Sequence, residues 1–225
     1  MRFDRDGLPF VVLAAVPAVG ALVSCRPRTA AVLTALPTAV LLFFRDPDRT
    51  PDRVGAASMD LDEILAPADA KVMHVGEPQP GTAPDEQGGW QQVVMFLSVF
   101  DVHINRSPVG GTVESVTYRP GRFLAAFTAE SGAENERSEI VVADEVDGEV
   151  RRVVFRQIVG LLARQVVTRV RPGDVLAPGQ RIGLMKFGSR MDVFVPPGVE
   201  VCVAVGDRTV AGETVIARWR GRVAS

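Results

Sequence analysis

Apolar residues are concentrated at the start of the chain, in two runs that share no polar face. The runs extend from Leu8 to Cys25 and from Thr29 to Phe44, and the sequence RPR at positions 26–28 separates them. Because neither run shows polar residues at helical spacing, the pattern predicts a helical hairpin that is apolar on all sides. At about 1.5 Å per residue the two helices would reach roughly 24–27 Å, slightly less than a hydrocarbon core of ~30 Å.

This hairpin has several interpretations on sequence alone. It spans a thinned bilayer, or it lies as a shallow hairpin in one leaflet, with Pro17 and Pro37 kinking the helices. A buried helical pair in a soluble core is an alternative, and so is a signal peptide, because LVSC at positions 22–25 resembles a lipoprotein cleavage box. Arginines at both ends place both ends on the cytoplasmic side, whereas Arg26 and Arg28 in the turn favour the shallow hairpin. The flanking arginines are Arg2, Arg5, Arg45, Arg49 and Arg53.

From residue 45 onward the pattern changes to short runs rich in Val and Phe, separated by Gly, Pro and Asp, which predicts β-strands. Residues 78–89 have no periodicity and predict an exposed loop. Residues 119–137 contain an apolar group, Phe123 to Phe127, that either packs on itself or forms a lid or membrane-dipping loop. The predicted strands lie in KVMHV, QQVVMFLSVF, GTVESVTY, EIVVADEV, EVRRVVFRQIV, RQVVTRV and VEVCVAV.

Two stretches repeat at an offset of 33 residues, PGDVLAPGQRIG at 172–183 and VGDRTVAGETVI at 205–216. Paired units of this kind resemble the duplicated, flattened barrel-sandwich of biotinyl and lipoyl carrier domains, a likeness of fold alone. The sequence therefore predicts a mainly β protein built as a flattened β-sandwich. We expect two domains, a membrane-anchoring hairpin over residues 1–45 and a β-rich domain over residues 46–225.

The net charge and the few cysteines and histidines limit the kinds of binding and catalysis that the chain can perform. The net charge of −2 gives no indication of nucleic-acid binding. Cys25 and Cys202 are the only cysteines and lie far apart, so the chain predicts neither a disulfide framework nor a metal site. Any chemistry that needs histidine has two candidates, His74 and His103.

Gly188 and Ser189 interrupt the strand-like sequence LMKFGSRMDVFVP at 184–196 with the two residues that pack least. A serine held in a strained backbone can attack the carbonyl of the peptide bond before it, and a preceding glycine leaves that carbonyl open. The peptide bond then becomes an ester, and elimination breaks the chain and converts the serine to a pyruvoyl group. On its own a Gly-Ser pair is far more often a simple turn.

Six motifs in order resemble the short, archaeal-type branch of the phosphatidylserine decarboxylases, and the resemblance covers nearly the whole chain. They are FFRDPDR (43–49), APADAKV (66–72), FLSVFDVHINRSPVGG (96–111), NERS (135–138), QIVGLLARQVV (157–167) and MKFGSRMDVFVP (185–196). The resemblance implies self-cleavage between Gly188 and Ser189, with Ser189 as precursor of a covalent pyruvoyl cofactor. Asp69 and His103 match the Asp and His of the processing machinery, in which the aspartate orients the imidazole and the imidazole takes the serine proton.

Two positions depart from the family pattern. Ala70 replaces the glycine of PADG, and Arg106 stands where longer bacterial members have a second histidine. Arg106 binds the substrate phosphate or carboxylate, or it holds Asp101 in an ion pair. The resemblance also makes Asn135 and Arg137, within the NERS motif, candidates for substrate binding.

The implied reaction is decarboxylation of phosphatidylserine to phosphatidylethanolamine through a Schiff base on the pyruvoyl group, at the cytoplasmic side of the cell membrane. The partners are then the lipid, the membrane surface and the two fragments 1–188 and 189–225, which stay associated; the sequence leaves a homodimer open. A non-enzymatic carrier domain that uses Lys186 and a decarboxylase of a soluble amino acid are the alternatives.

Overall fold

The computed structural model describes residues 2–49, 62–85, 88–161, 165–186 and 189–220. It contains two compact units, residues 1–48 and residues 49–225.

The first unit is the apolar helical hairpin that the sequence predicts. Strands β1 (Arg2–Phe3) and β2 (Arg45–Asp46) pair at its base, a 3-10 turn covers Arg5–Gly7, and the helices are α1 (Leu8–Val23), α2 (Pro27–Leu33) and α3 (Ala35–Phe43). The second apolar run is thus two helices. Pro37 explains the break, because its ring clashes with the carbonyl of Leu33, four residues earlier.

The apolar side chains of the hairpin are largely exposed within the unit. The segment Arg5–Val23 is long and apolar enough to cross a membrane, and the apolar helical stretch Pro27–Phe43 is shorter. Along α1 the side chains of Leu13 and Val23 are 72% and 79% exposed. This exposure does not fit the alternative of a helical pair buried within its own unit.

The second unit is built on one antiparallel sheet of eight strands in the order β11-β7-β8-β9-β13-β5-β4-β15. Two sheets of three strands, β10-β12-β6 and β14-β16-β3, contribute to the same hydrophobic core as its inner face. A single short helix, α4 (Ser131–Glu134), is described in this unit. The mainly β prediction is therefore confirmed. The strands are β3 (Glu63–Leu65), β4 (Ala70–Gly76), β5 (Gln91–Leu97), β6 (Ile104–Arg106), β7 (Gly111–Arg119), β8 (Arg137–Val146), β9 (Glu149–Ile158), β10 (Val166–Thr168), β11 (Val175–Leu176), β12 (Arg181–Met185), β13 (Ser189–Val195), β14 (Val199–Val201), β15 (Arg208–Thr209) and β16 (Val215–Trp219).

The two stretches that repeat in the sequence form equivalent turns in the structure. Gly173 and Gly206 both have positive φ, 91° and 103°, and donate backbone hydrogen bonds to Val113 and Val72 respectively, each 2.9 Å long. Thirty-three residues apart, Gly179 and Gly212 repeat a second turn, with φ of 73° and 74°. The two halves therefore use the same turns to fasten matching strands.

The sequence LMKFGSRMDVFVP is not one interrupted strand. Strand β12 ends at Met185 and belongs to a three-stranded sheet, whereas β13 begins at Ser189 and lies inside the eight-stranded sheet. Phe187 and Gly188 lie outside the described residues. The Gly-Ser pair therefore marks the place where the chain passes from one sheet to another, which explains why apolar packing residues are missing there.

Candidate functional site

Ser189 is completely buried at the start of β13. It pairs with Leu97 of β5, and its side chain shares the inner face of the sheet with Met191 and Val193. Its Oγ is buried and has no hydrogen-bond partner in the part of the chain that the structure describes. A buried hydroxyl normally has a partner, so an unpaired one is a candidate for chemistry. The predicted acceptor of its attack, Gly188, lies outside the described residues.

Asp69 immediately precedes β4, at the same end of the sheet as Ser189. Lys71 pairs with Phe96 of β5, and Ser189 pairs with Leu97 of the same strand. The two residues are thus separated by two strand spacings, about 10 Å. The Asp69 carboxylate accepts two hydrogen bonds from Arg49, and its Oδ1 also accepts the backbone N–H of Ala211 at 2.8 Å.

His103 is buried just before β6. Its carbonyl accepts the N–H of Met185 at 3.2 Å, which places it beside the strand that leads to Ser189. The ring Nδ1 lies 3.0 Å from the carbonyl oxygen of Asp101. Because a carbonyl only accepts, Nδ1 carries the proton in the neutral ring, and Nε2 is the nitrogen that can take a proton.

A backbone hydrogen bond joins the segments of Asp69 and His103. The N–H of Arg106 donates to the carbonyl of Pro67 at 2.9 Å. The structure therefore brings together the turn before β4, the strand β6 and the start of β13. The contact from Asp69 to His103 that the resemblance implies stays a prediction.

Arg106 is buried and donates from Nη1 to the carbonyl of Gly179 at 2.9 Å. Its side chain also approaches Gly212, where a Cβ would lie 3.0 Å from the Arg106 side chain. Asp101, the ion-pair partner considered for Arg106, pairs with Arg208 at 2.6 Å. Arg106 thus contacts the repeated turns of the fold.

Asn135 fastens the segment 120–136 to the end of β9. Its side chain accepts the N–H of Leu124 at 2.9 Å and donates to the carbonyls of Leu124 at 2.9 Å and Val159 at 2.8 Å. Arg137 follows, and its Nη1 donates to the carbonyls of Ala133 at 2.7 Å and Asn135 at 3.1 Å.

The Arg137 guanidinium lies in surroundings that disfavour its positive charge. Burial lowers the pKa of Arg137, and the nearby Arg156 and Arg119 lower it further. Its Nε is buried without a partner among the described residues. This group can therefore gain free energy from an added anion.

A buried ion pair directly after Ser189 was not predicted. Arg190 Nε donates to Asp192 Oδ1 at 2.6 Å, and Arg190 Nη2 donates to Asp192 Oδ2 at 2.9 Å; both side chains are almost fully buried. Arg190 also donates to the Thr128 carbonyl and to Gln79 Oε1, so it joins two loops to the outer face of the sheet. Two charged residues at alternate positions of an otherwise apolar strand were the available signal.

Exposed apolar side chains surround this end of the sheet. Residues 98–101 follow β5 beyond Leu97, and Leu161 follows β9 beyond Ile158, the residue paired with Arg190. Phe127 packs edge-on against Phe96, with ring centroids 6.1 Å apart. We call this set the apolar rim; its members are Val99, Phe100, Phe127 and Leu161, which are 41%, 84%, 63% and 64% exposed.

The arrangement supplies an unpaired hydroxyl, a histidine whose Nε2 can accept a proton, and a fixed carboxylate. These are the groups that nucleophilic attack by a serine needs. In the described part of the chain no three His, Cys, Asp or Glu side chains are grouped as a metal site.

Comparison with known proteins identifies the family. The phosphatidylserine decarboxylase family model matches residues 36–217. The phosphatidylserine decarboxylase proenzyme of Novosphingobium aromaticivorans is 41% identical over 94% of this chain and 84% of its own length. The proenzyme of Solidesulfovibrio magneticus is 43% identical over 95% of this chain and 94% of its own length. That of Magnetococcus marinus is 36% identical over 97% of this chain and 95% of its own length. The chain therefore belongs to the phosphatidylserine decarboxylase proenzyme family.

Proposed function

We propose that this chain cleaves itself between Gly188 and Ser189 and then decarboxylates phosphatidylserine to phosphatidylethanolamine and carbon dioxide. The observation that carries the proposal is the buried Ser189 Oγ without a partner, at the point where the chain passes between two sheets. Family membership supplies the substrate class, since the relatives are named for this lipid. Neither alternative, the carrier domain or the decarboxylase of a soluble amino acid, is favoured by these comparisons.

Self-cleavage uses only groups of the chain and one water. Ser189 Oγ gives its proton to a base and attacks the carbonyl carbon of Gly188, and the peptide nitrogen leaves as an amine, so an ester replaces the amide. Loss of the Ser189 α-proton then expels the Gly188 carboxylate and leaves a dehydroalanine. Water adds to its imine form and ammonia leaves, which gives a pyruvoyl group on the new chain.

The residues fit a pyruvoyl group at position 189. The precursor hydroxyl is buried and has no described partner, so the departure of its oxygen with the Gly188 carboxylate breaks no hydrogen bond of the described structure. When formed, the group acts as an electron sink for an amine substrate that loses carbon dioxide.

His103 is the proposed base, because Nδ1 carries the proton when it donates to the Asp101 carbonyl and Nε2 is then the basic nitrogen of the ring. Asp69, held by Arg49, is proposed to stabilise the cation that results. Arg137 is proposed to bind the anionic headgroup, which its lowered pKa and unpartnered Nε favour. Arg106 and Asn135 are proposed to support that binding by holding the surrounding turns in place.

The two fragments, 1–188 and 189–225, are expected to remain associated after cleavage. Strand β13 lies between β5 and β9 and pairs with both over most of its length. Such central strands dissociate only when the sheet is disrupted. A homodimer remains part of the proposal. Membership of the short branch of the family is also proposed, because the H-x-N-R-x-P pattern of that branch occurs at residues 103–108.

The proposed location is the cytoplasmic face of the cell membrane. One support is the apolar hairpin with arginines at both ends, which we assign as an anchoring domain over residues 1–45. The other is the apolar rim, which belongs to the β-rich domain assigned to residues 46–225. A site on the surface where the headgroup lies does not require the lipid to leave the membrane.

Intact-mass analysis tests the proposal. The wild-type protein is expected to give two masses, the second being residues 189–225 with a ketone at the new N-terminus. Ser189→Ala is expected to give one chain of 24.2 kDa. Assay of the cleaved protein on phosphatidylserine and on free serine identifies the substrate. Cleavage of Ser189→Ala at the same bond would refute the mechanism.

A further inference from the structure

Asn105, in β6, has a buried polar atom without a partner among the described residues. Its Nδ2 and the Ser189 Oγ are both buried without a hydrogen-bond partner in the described ranges, and both residues are completely buried. Buried amide donors are paired in most native structures, because an unpaired donor costs free energy. Two such atoms in one region call for an explanation by function.

Neighbouring groups hold the Asn105 side chain in one orientation. Its Oδ1 accepts Nε2 of Gln157 at 2.8 Å, and Gln157 Oε1 accepts the hydroxyl of Thr168 at 2.8 Å. Gly183, which pairs with Asn105 across β6 and β12, has φ of 156°, and a Cβ there would lie 2.0 Å from the Val167 carbonyl oxygen and 3.2 Å from Gln157 Nε2. Glycine at this position therefore leaves the space in which the two amides meet.

The register of the sheet places this group beside Ser189. Gln157 of β9 lies directly opposite Met191 of β13, so its side chain is on the inner face. Ser189 is two residues from Met191 and shares that face, which makes it a diagonal neighbour of Gln157 at about 7–8 Å between Cα atoms. The amide of Asn105 contacts the side chain of Gln157, so one side chain connects it to the neighbourhood of the serine.

Asn105 also shares a side of its strand with His103. The N–H of Met185 donates to the His103 carbonyl and so continues the pairing of β6 with β12 by one residue. The side chains of His103 and Asn105, one residue apart, are therefore expected on the same side, whereas Arg106 points toward Gly179 and Gly212. The proposed base and the unpartnered amide therefore approach the inner face from the same strand.

We propose that Asn105 is a catalytic residue whose Nδ2–H donates a hydrogen bond to the oxygen that becomes negatively charged when Ser189 attacks the preceding carbonyl. The inference rests on the proposed self-cleavage. Attack turns the carbonyl oxygen into an oxyanion, and the donor stabilises it without transferring a proton. Gln157 and Thr168 are positioning residues, which hold the amide with its nitrogen toward the reaction. Loss of one such donor typically slows a reaction by about 10²–10³-fold.

Time courses of self-cleavage after cell-free translation test this role, with cleaved and uncleaved chains separated on denaturing gels. Asn105→Asp keeps the shape of the side chain and replaces the donor with an acceptor, and Asn105→Ala removes it. Both are expected to cleave about 10²–10³-fold more slowly than the wild type. Asn105→Ser, which keeps a short donor, is expected to recover part of the rate.

Two further measurements separate this role from structural support. In a Ser189→Ala background, thermal unfolding shows whether each Asn105 variant folds. The cleavage rate of Asn105→Asp relative to the wild type is expected to rise as the pH falls and the new carboxyl gains a proton to donate, whereas that of Asn105→Ala stays flat. Support of the fold alone would give no such difference.

Ser138→Ala is the matched control, because Ser138 lies on the same face beyond Gln157, on the side away from β13. It is expected to cleave within about twofold of the wild type. If the wild type cleaves itself and the folded variants Asn105→Asp and Asn105→Ala cleave at the same rate, the role of Asn105 is overturned and the proposed function is left intact. Failure of the wild type to cleave would instead overturn the proposed function.

Discussion

Arg49 holds both carboxylate oxygens of Asp69, with Nη1 on Oδ1 and Nη2 on Oδ2, the latter at 2.5 Å. Asp69 Oδ1 also accepts the N–H of Ala211 at 2.8 Å. Both side chains are mostly buried, and the paired geometry fixes the plane of the carboxylate as well as its position. The acidic group of the site is therefore held in place by a residue 20 positions earlier in the sequence.

Replacing Arg49 is expected to weaken both stability and self-cleavage. In a Ser189→Ala background, which keeps one chain, Arg49→Ala should lower the free energy of unfolding by about 1.5–3 kcal/mol, the range for hydrogen bonds to charged groups. Arg49→Lys keeps the charge but not the two-point contact, so its loss should be smaller. Denaturant unfolding measures both values.

Arg152→Ala is the control for this pair. Arg152 contacts Glu114 through a comparable ion pair at 2.8 Å, but both side chains are substantially exposed. Its loss should cost less than about 1 kcal/mol. If Arg49→Ala costs no more than Arg152→Ala, the contact with Asp69 contributes nothing beyond a surface ion pair.

His103→Ala is expected to slow self-cleavage by about 10²–10⁴-fold, because it removes the group that takes the serine proton. Asp69→Ala should slow it comparably or less. His74 provides the histidine control: its Nε2 lies 2.8 Å from the Glu77 carbonyl, away from the site, and His74→Ala should mature at the wild-type rate. Normal maturation of His103→Ala would assign the role of base to another group.

The ion pair between Arg190 and Asp192 should contribute to stability in a way that depends on both partners. Arg190→Met in the Ser189→Ala background leaves a buried carboxylate without its cation and should cost about 3–5 kcal/mol. Arg190→Met combined with Asp192→Leu removes both charges and should recover much of that loss. Denaturant unfolding of the single and double variants measures the coupling, and equal losses in both would show that the charges do not compensate each other.

The loops that Arg190 holds should respond to the same change. Arg190 donates to the Thr128 carbonyl at 3.0 Å and to Gln79 Oε1 at 2.7 Å. Amide hydrogen exchange within residues 120–136 is therefore expected to rise in Arg190→Met and to remain high in the double variant, because the double variant restores charge balance but not these bonds. Unchanged exchange would mean that other contacts, such as those of Asn135 and the packing of Phe127 on Phe96, are sufficient to fix this segment.

Sequence patterns predicted the strands well because their alternation follows from burial of one face. The repeat with Gly173 and Gly206 was visible because these turns need positive φ, which glycine adopts readily. The candidate site was predicted from Ser189, His103 and Asp69, and only the ordered motifs gave these residues weight. On their own each fits an ordinary structural role.

What the sequence did not reveal depends on contacts between distant positions. Arg49 was counted as a charge beside the hairpin and as the last residue of the motif FFRDPDR, and neither observation pointed to Asp69. The pairing of Asn105 with Gln157 joins residues 52 positions apart through the register of two sheets. The single strand expected across the Gly-Ser pair proved to be two strands, because a local pattern does not show which sheet a strand joins.

Removal of residues 1–44 tests the membrane assignment. All the side chains of the hydrophobic core that contains Met191 belong to residues after 63, and Ser189, His103 and Asp69 lie in the same unit, so the remaining chain is expected to fold and cleave itself. It should no longer sediment with vesicles. Decarboxylation should fall more on vesicle phosphatidylserine than on short-chain lipid in detergent, because the anchor raises the local concentration of the site at the surface. Equal losses on both substrates would mean that the hairpin supports the fold.

The apolar rim should determine how much vesicle activity the truncated protein keeps. Phe100 and Phe127 are the most exposed aromatic residues near the site, and burial of apolar area in the interface favours membrane contact. Phe100→Ser with Phe127→Ser should therefore lower the residual activity of the truncated protein on vesicles and leave its activity on detergent-dispersed lipid nearly unchanged. Val175→Ser is the control, because Val175 is 76% exposed on β11, an edge strand of the eight-stranded sheet that carries no residue of the apolar rim. Vesicle activity that falls equally in the control would show that any exposed apolar residue suffices, and that the rim has no particular role in reaching the lipid.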